Sequence, residues 1–327
     1  MSFSLAAVAG ILLYSALSVA YVYRWRGQTR YASMTQYLRK SWPIFAPMNC
    51  VLYMNTRPWA RGPVLTGEVL PNLSILRDNW QVIRDEALAL RSDGAFEAAK
   101  APGSAGSYDV GFRTFFKRGW SKFYLKWYGT THRSAQRTCP RTLALLKQVP
   151  EIKGAMFAIL PAGSELTLHA DPLACSLRYH LGLQTPNSDR CLIEIDGVTM
   201  SWRDGQDFIF DETYPHHAFN GTDDSRLILM CDVARPLHLF GRVFNAGYRF
   251  LAGGTLVPNT DEDKRGLFST AFATLAPIQA RMRSLKQTNL RQYKLLKHMI
   301  NATLLILVLA AVYGLFRLAE AALRALI

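Results

Sequence analysis

Eight short runs decide the fold: 156-MFAIL-160, 165-ELTLH-169, 176-SLRYHLGL-183, 191-CLIEI-195, 198-VTMSW-202, 207-DFIF-210, 216-HHAF-219 and 226-RLILMCDV-233. They are short runs of β-branched and aromatic residues separated by turn signals, and Asp196-Gly197 supplies a hairpin between two of them. Regular short strands at this spacing predict a sandwich or a jelly roll, with a β core over about 154–236. Upstream the texture is helical. In 74-SILRDNWQVIRDEALALR-91, Ile75, Trp80, Ile83, Ala87 and Leu90 recur at helical spacing with charges opposite. The Gly/Ala/Ser-rich stretch 94–108 reads as a loop. Between Val110 and Pro150 basic residues interleave with aromatics and no acid occurs.

Farther out, the ends of the chain are apolar. Phe3 to Tyr23 carries no charge over 21 residues, and about 20 helical residues cross a bilayer core. A signal peptide is the alternative, since Ser18-Val19-Ala20 passes for a cleavage site. No Lys or Arg precedes the run, however, and Arg24, Arg26 and Arg30 follow it, as for an uncleaved anchor. A second uncharged run, Met299 to Phe316, is preceded by Lys286, Arg291, Lys294 and Lys297. Both charged flanks face the middle of the chain, so the positive-inside rule puts 24–298 in the cytoplasm and both termini outside. The expected order is a transmembrane helix (1–23), a basic juxtamembrane segment (24–69) and a globular domain (70–240). A basic helical extension (241–298), a second transmembrane helix (299–316) and a short tail (317–327) follow.

Half of the 327 residues are hydrophobic and only 19% are charged, which excludes a disordered chain. The net charge of +14 calls for an anionic partner. From Arg24 to Gly67 there are seven basic residues and no acid, a pattern suited to anionic headgroups. A chain anchored at both ends has anionic lipid nearer to hand than nucleic acid, so no nucleic-acid partner is expected. Five scattered cysteines without a Cys-x-x-Cys pair exclude a disulfide framework or a zinc knuckle.

Among the strands sit His169, Asp171 and, much later, His216. On a strand, residues i and i+2 point the same way, so His169 and Asp171 can reach one point. A distant histidine on a neighbouring strand would complete a facial triad for non-haem Fe(II), which leaves coordination positions open. His217 is the obvious rival to His216. Arg226 lies on a strand of otherwise apolar residues, which argues for an internal carboxylate partner.

His-x-Asp, His180 in SLRYHLGL, FDETYPHHAFN and the RLIL strand resemble the aspartyl/asparaginyl β-hydroxylase family of Fe(II)/2-oxoglutarate dioxygenases. The likeness covers roughly residues 70–236, including NWQVIRDEALAL and GWSKFYLKWYG. Eleven residues separate His169 from His180, and ten separate His216 from Arg226. With its apolar ends and complete His-x-Asp, the chain looks most like the bacterial lipid A 2-hydroxylase branch. The resemblance implies a double-stranded β-helix (jelly roll) core with flanking helices, placed in a bacterial inner membrane. It implies hydroxylation at the 2-position of a secondary acyl chain of lipid A, with 2-oxoglutarate and O2 converted to succinate and CO2. By that resemblance His169, Asp171 and His216 hold iron, and Arg226 and His180 hold 2-oxoglutarate. Arg178, Trp120 and Lys122 fall on the substrate side. The animal peptide hydroxylases have glycine where Asp171 stands, and a serine toward the co-substrate where this chain has Ala158, so the co-substrate contacts carry over only in part. Another lipid such as an ornithine lipid, a peptide Asp/Asn side chain, and a non-catalytic cupin-like membrane module are the alternatives.

Overall fold

The computed structural model describes residues 3–65, 70–109 and 119–300, with isolated positions 302–303, 314 and 317 beyond them. The helices are α1 (Phe3–Arg24), α2 (Met34–Lys40), α3 (Ala46–Asn55), α4 (Ser74–Asp78), α5 (Trp80–Ser92), α6 (Ala95–Lys100), α7 (Arg133–Thr138), α8 (Pro140–Lys147), α9 (Leu239–Gly253) and α10 (Leu267–Thr288). The strands begin with β1 (Val64–Leu65), β2 (Ser121–Trp127), β3 (Thr130–Thr131), β4 (Ile152–Leu160), β5 (Glu165–His169) and β6 (Ser176–Gln184). They end with β7 (Cys191–Ile195), β8 (Val198–Ser201), β9 (Asp207–Phe210), β10 (His216–Asn220) and β11 (Arg226–Ala234). A large unit, Tyr14–Thr270, holds every described strand; a smaller one comprises Met1–Leu13 and Ala271–Ile327, and its described residues are mostly helical.

Two antiparallel sheets form the core, ordered β1-β9-β6-β11-β4-β2-β3 and β5-β10-β7-β8. The alternation along β11 shows how sequence divides the layers. Leu227, Leu229, Cys231 and Val233 belong to an apolar layer with Ile83, Ala87 and Leu90 of α5 and Leu143 and Leu146 of α8. Ile228 and Met230 point the other way, into a second layer with Ile193, Ile195 and Ala218 of the smaller sheet. Each such buried aliphatic side chain contributes about 1.5–3 kcal/mol of transfer free energy. The β7–β8 hairpin turns at Asp196 and Gly197, both at positive φ (50° and 86°), as a tight two-residue connection requires.

All eight expected strands are present. The single helix expected over 74–91 breaks at Asn79 into α4 and α5, and the stretch 94–108, read as a loop, contains α6. Its 95-AFEAAK-100 run is made mostly of good helix formers, and burial of Phe96 and Ala99 fixes it. In the juxtamembrane segment prolines start helices instead of only breaking them: Pro43, Pro47 and Pro58 each occupy a first turn. Within α1, Ala6–Arg24 is long and apolar enough to cross a membrane, and it alone passes that test among the described residues. The expected second span, 299–316, lies largely outside the described residues.

Candidate metal centre and anion cradle

His169 ends β5 and His216 begins β10, and the antiparallel register sets them directly opposite each other. Their ring centroids are 4.2 Å apart. Asp171 follows two residues after His169, with Oδ1 3.6 Å from His169 Nε2. One ligand atom from each of the three lies within 4.8 Å of the others, a spacing that could hold a metal ion. His217, one residue on, is on the opposite side of β10 beside Glu194 and Thr199, as strand alternation demands.

Both imidazoles are oriented in the same way. His169 Nδ1 lies 2.9 Å from the Thr167 carbonyl, and His216 Nδ1 lies 2.9 Å from the Tyr214 carbonyl. A proton on each Nδ1 is thereby committed to backbone two residues back, which leaves each Nε2 lone pair for a metal. Burial, with His169 nearby, pushes His216 down to about 3; burial also lowers His169. Burial alone would raise Asp171, but Arg178, His216 and His169 outweigh it and hold the carboxyl below its ordinary range. Two neutral imidazoles and one carboxylate is the protonation state that metal ligation needs.

Arg178 lies among three carboxyl groups. It pairs with Asp171 Oδ2 at 2.9 Å, with Asp232 Oδ1 at 2.9 Å and with Glu212. Its guanidinium is therefore engaged beside the metal centre, where sequence reading placed it toward substrate. Burial, helped by Asp232 and Asp171 and opposed by Arg178, pushes the Glu212 carboxyl up, and it also receives the Ser176 hydroxyl at 3.1 Å. Tyr128 donates to Asp232 Oδ2 at 3.0 Å. Glu212 and Asp232 were not singled out from the sequence; the FDETYPHH run offers a weak signal for the first, and nothing local marks the second.

Arg226 begins β11 and its side chain shares the inner face with Ile228 and Met230. It is 1% exposed, and neither Nε nor Nη2 has a hydrogen-bond partner. The guanidinium carbon lies 4.2 Å from the Trp202 ring centroid and 5.3 Å from that of Trp120, and burial lowers Arg226 to about 10. His180, on β6, is also buried. Its Nδ1 accepts from Trp202 Nε1 at 3.2 Å, so its proton sits on Nε2, which has no partner. Burial, with Arg226 adding to it, keeps His180 neutral. Unsatisfied N–H donors of two buried side chains are an expensive arrangement unless an acceptor comes from outside. A carboxylate has that chemistry. Trp120 and Lys122 are both buried; Trp120 faces Arg226, and Lys122 pairs with Asp109 and reaches Tyr124 Oη at 3.0 Å.

A second buried ion network lies close by. Asp211 Oδ2 receives Arg26 at 2.9 Å and Arg235 at 2.8 Å, and Arg26 also donates to the Thr213 carbonyl at 2.7 Å. A cavity of about 460 Å³ adjoins it, lined by Leu17 and Tyr21 of α1, Cys50 and Met54 of α3, Arg26 and Tyr214.

Comparison with known proteins adds a family. Residues 77–236 match the model of the aspartyl/asparaginyl beta-hydroxylases. An ornithine lipid ester-linked acyl 2-hydroxylase of Rhizobium tropici is 35% identical over 127 residues, covering 38% of this chain and 45% of that protein. The human aspartyl/asparaginyl beta-hydroxylase is 33% identical over 166 residues, covering 49% of this chain and 21% of that protein. The chain thus spans less than half the length of either relative. A Pseudomonas putida prolyl-4-hydroxylase is similar in structure at a TM-score of 0.32 and 15% identity, over 49% of this chain and 87% of that one.

Proposed function

From the premise that the chain, through residues 77–236, belongs to the aspartyl/asparaginyl β-hydroxylase family, we propose that it is a membrane-anchored acyl-chain 2-hydroxylase dependent on Fe(II) and 2-oxoglutarate, with lipid A as its substrate. The observation that carries the reading is the pairing of a two-histidine, one-carboxylate cluster with a buried guanidinium, its Nε and Nη2 without hydrogen-bond partners, on the same barrel interior. His169, Asp171 and His216 would hold the iron through the two Nε2 atoms and the carboxylate. When bound, iron with 2-oxoglutarate and O2 supplies an oxidant that replaces a C–H hydrogen by hydroxyl and releases succinate and CO2.

The chain's own residues do the rest. Arg226 and His180 bind and orient the distal carboxylate of the co-substrate, the guanidinium by a two-pronged hydrogen bond. Arg178 and Glu212 fix the Asp171 carboxylate. Trp202, Phe208 and Phe210 pack against His180 and keep water from the interior.

A lipid substrate is supported by α1 and by the cavity that α1 and α3 wall beside the Tyr214 turn. The choice of lipid A rests on the complete His-x-Asp and the net charge of +14, which suits phosphates. The likeness to the Rhizobium tropici enzyme favours an ornithine lipid as the second reading. On either reading α1 anchors the protein in a bacterial inner membrane with residues 24–298 in the cytoplasm.

Lipid mass spectrometry of cells with and without the protein tests the proposal. One added oxygen on a lipid A acyl chain supports it; the same gain on ornithine lipid alone selects the second reading. No gain on any lipid, with no succinate formed by the purified protein, leaves a non-catalytic module.

A further inference from the structure

Helix α9 exposes an apolar face as well as burying one. The side it buries carries Gly241, Asn245, Tyr248 and Ala252. The opposite side presents Leu239, Phe240, Val243 and Phe250, each 66–70% exposed. At 100° per residue these four, with Ala246 and Gly247, share one face, and Arg242 and Arg249 run along one edge of it. The buried side is fastened by specific contacts. Asn245 donates to the Cys175 carbonyl at 2.9 Å, and Tyr248 donates to Asn49 Oδ1 at 2.9 Å. At Gly241 an added Cβ would come 2.5 Å from Asn55 Cβ, so the close approach to α3 requires glycine there. The helix is therefore held with Leu239, Phe240, Val243 and Phe250 outward, while Phe244, Tyr248 and Leu251 pack inward.

What covers that face follows from its neighbours. Helix α3, on which α9 packs, also packs on α1: Tyr14 donates to the Pro47 carbonyl at 2.9 Å, and Cys50 approaches the Ser18 carbonyl. The connecting elements expose Ile44, Met54 and Trp59. An apolar surface thus continues from the helix able to cross a membrane, through α3, to α9.

We propose that α9 is an interfacial membrane helix, lying in the plane of the bilayer with Leu239, Phe240, Val243 and Phe250 among the acyl chains and Arg242 and Arg249 at anionic headgroups. An amphipathic helix with a basic edge has this affinity for anionic lipid surfaces. The large unit then rests on the bilayer by a broad face as well as by its anchor, and the inference does not depend on which lipid is hydroxylated.

Nitroxide accessibility tests it on the full chain in vesicles of phosphatidylethanolamine and phosphatidylglycerol at high lipid-to-protein ratio. The five native cysteines are all buried, so labels go on Val243→Cys and Phe250→Cys, with the exposed Asp189→Cys as the aqueous reference. Labels at 243 and 250 should collide with lipid-soluble O2 severalfold more than with a water-soluble nickel chelate, with the reverse order at 189. Nickel access at 243 and 250 matching that at 189 puts the face in water and overturns the proposal. Low access to both reagents places it against protein and also overturns it; label–label broadening that persists on dilution identifies that protein as a second copy.

Discussion

Arg226→Met separates co-substrate binding from structural support, because the two roles predict opposite changes in stability. The guanidinium is 1% exposed, and burial moves it from 12.5 to about 10. That difference corresponds to about 3 kcal/mol of unfavourable burial of the charged form. A base whose folded pKa is lowered carries this cost in full below the folded value, so it is present throughout the neutral range and relieved only as pH rises through about 10. Stacking on Trp202 and Trp120 returns about 0.5–2 kcal/mol. Methionine fills similar space without charge, so the variant should be more stable than the parent by about 1–2 kcal/mol when no co-substrate is present. The parent should then gain about 2.7 kcal/mol from 2-oxoglutarate at a hundred times its dissociation constant, and the variant close to nothing. Denaturant melts of the detergent-solubilised protein, with and without 2-oxoglutarate and with a divalent metal held constant, measure both differences. A variant less stable than the parent without co-substrate means the guanidinium has a structural partner. Retained stabilisation by 2-oxoglutarate means the dicarboxylate binds elsewhere, and either result refutes the reasoning.

Arg226→Lys should raise the 2-oxoglutarate concentration for half-maximal rate at least tenfold, equivalent to about 1.4 kcal/mol, because an ammonium cannot form the two-pronged bond; succinate release reads it. Asp171→Ala and His216→Ala should each abolish turnover and metal binding by equilibrium dialysis, whereas His217→Ala should bind metal as the parent does. Arg26→Met leaves Asp211 with Arg235 alone, and loss of one member of a buried ion network costs about 3–5 kcal/mol, visible as a lower melting midpoint. Asp211 is held far below the usual carboxylate range: burial alone would raise it, but Arg235 and Arg26 outweigh burial. A depressed carboxylate contributes stability above its unfolded pKa of about 4 and loses it as pH falls below that. The Asp211→Asn variant should therefore show a shallower acid limb in melts taken below pH of about 4.

Local pattern carried much of this structure. Strand geometry puts Arg226 on the same face of β11 as Ile228 and Met230, but Leu227, Ile228, Leu229 and Met230 are all apolar and both faces are buried, so pattern alone did not say which face holds the site. The same alternation separates His216 from His217. Cross-strand register was not legible in that way. Arg178 meets Asp232 because those two residues are opposite each other on β6 and β11, and it meets Glu212 through a turn more than thirty residues away. No spacing rule in one chain reveals such a cluster. Helix α9 was legible as a helix, but its exposed apolar face was not, since composition does not say which face meets protein.

The tie between Arg26 and the 211–213 turn bears on regiochemistry. Arg26 follows the end of α1 by two residues, and Thr213 precedes His216 by three, so a buried ion pair joins the helix able to cross a membrane to the strand that presents His216. On the proposed reading, the reactive point stands at a set altitude above the hydrocarbon. Lipids differ widely in headgroup, but in each the carbon next to an acyl carbonyl lies at the headgroup end of its chain. A site of constant altitude favours that carbon by its position along the chain, which leaves the protein's net positive charge to act on the headgroup.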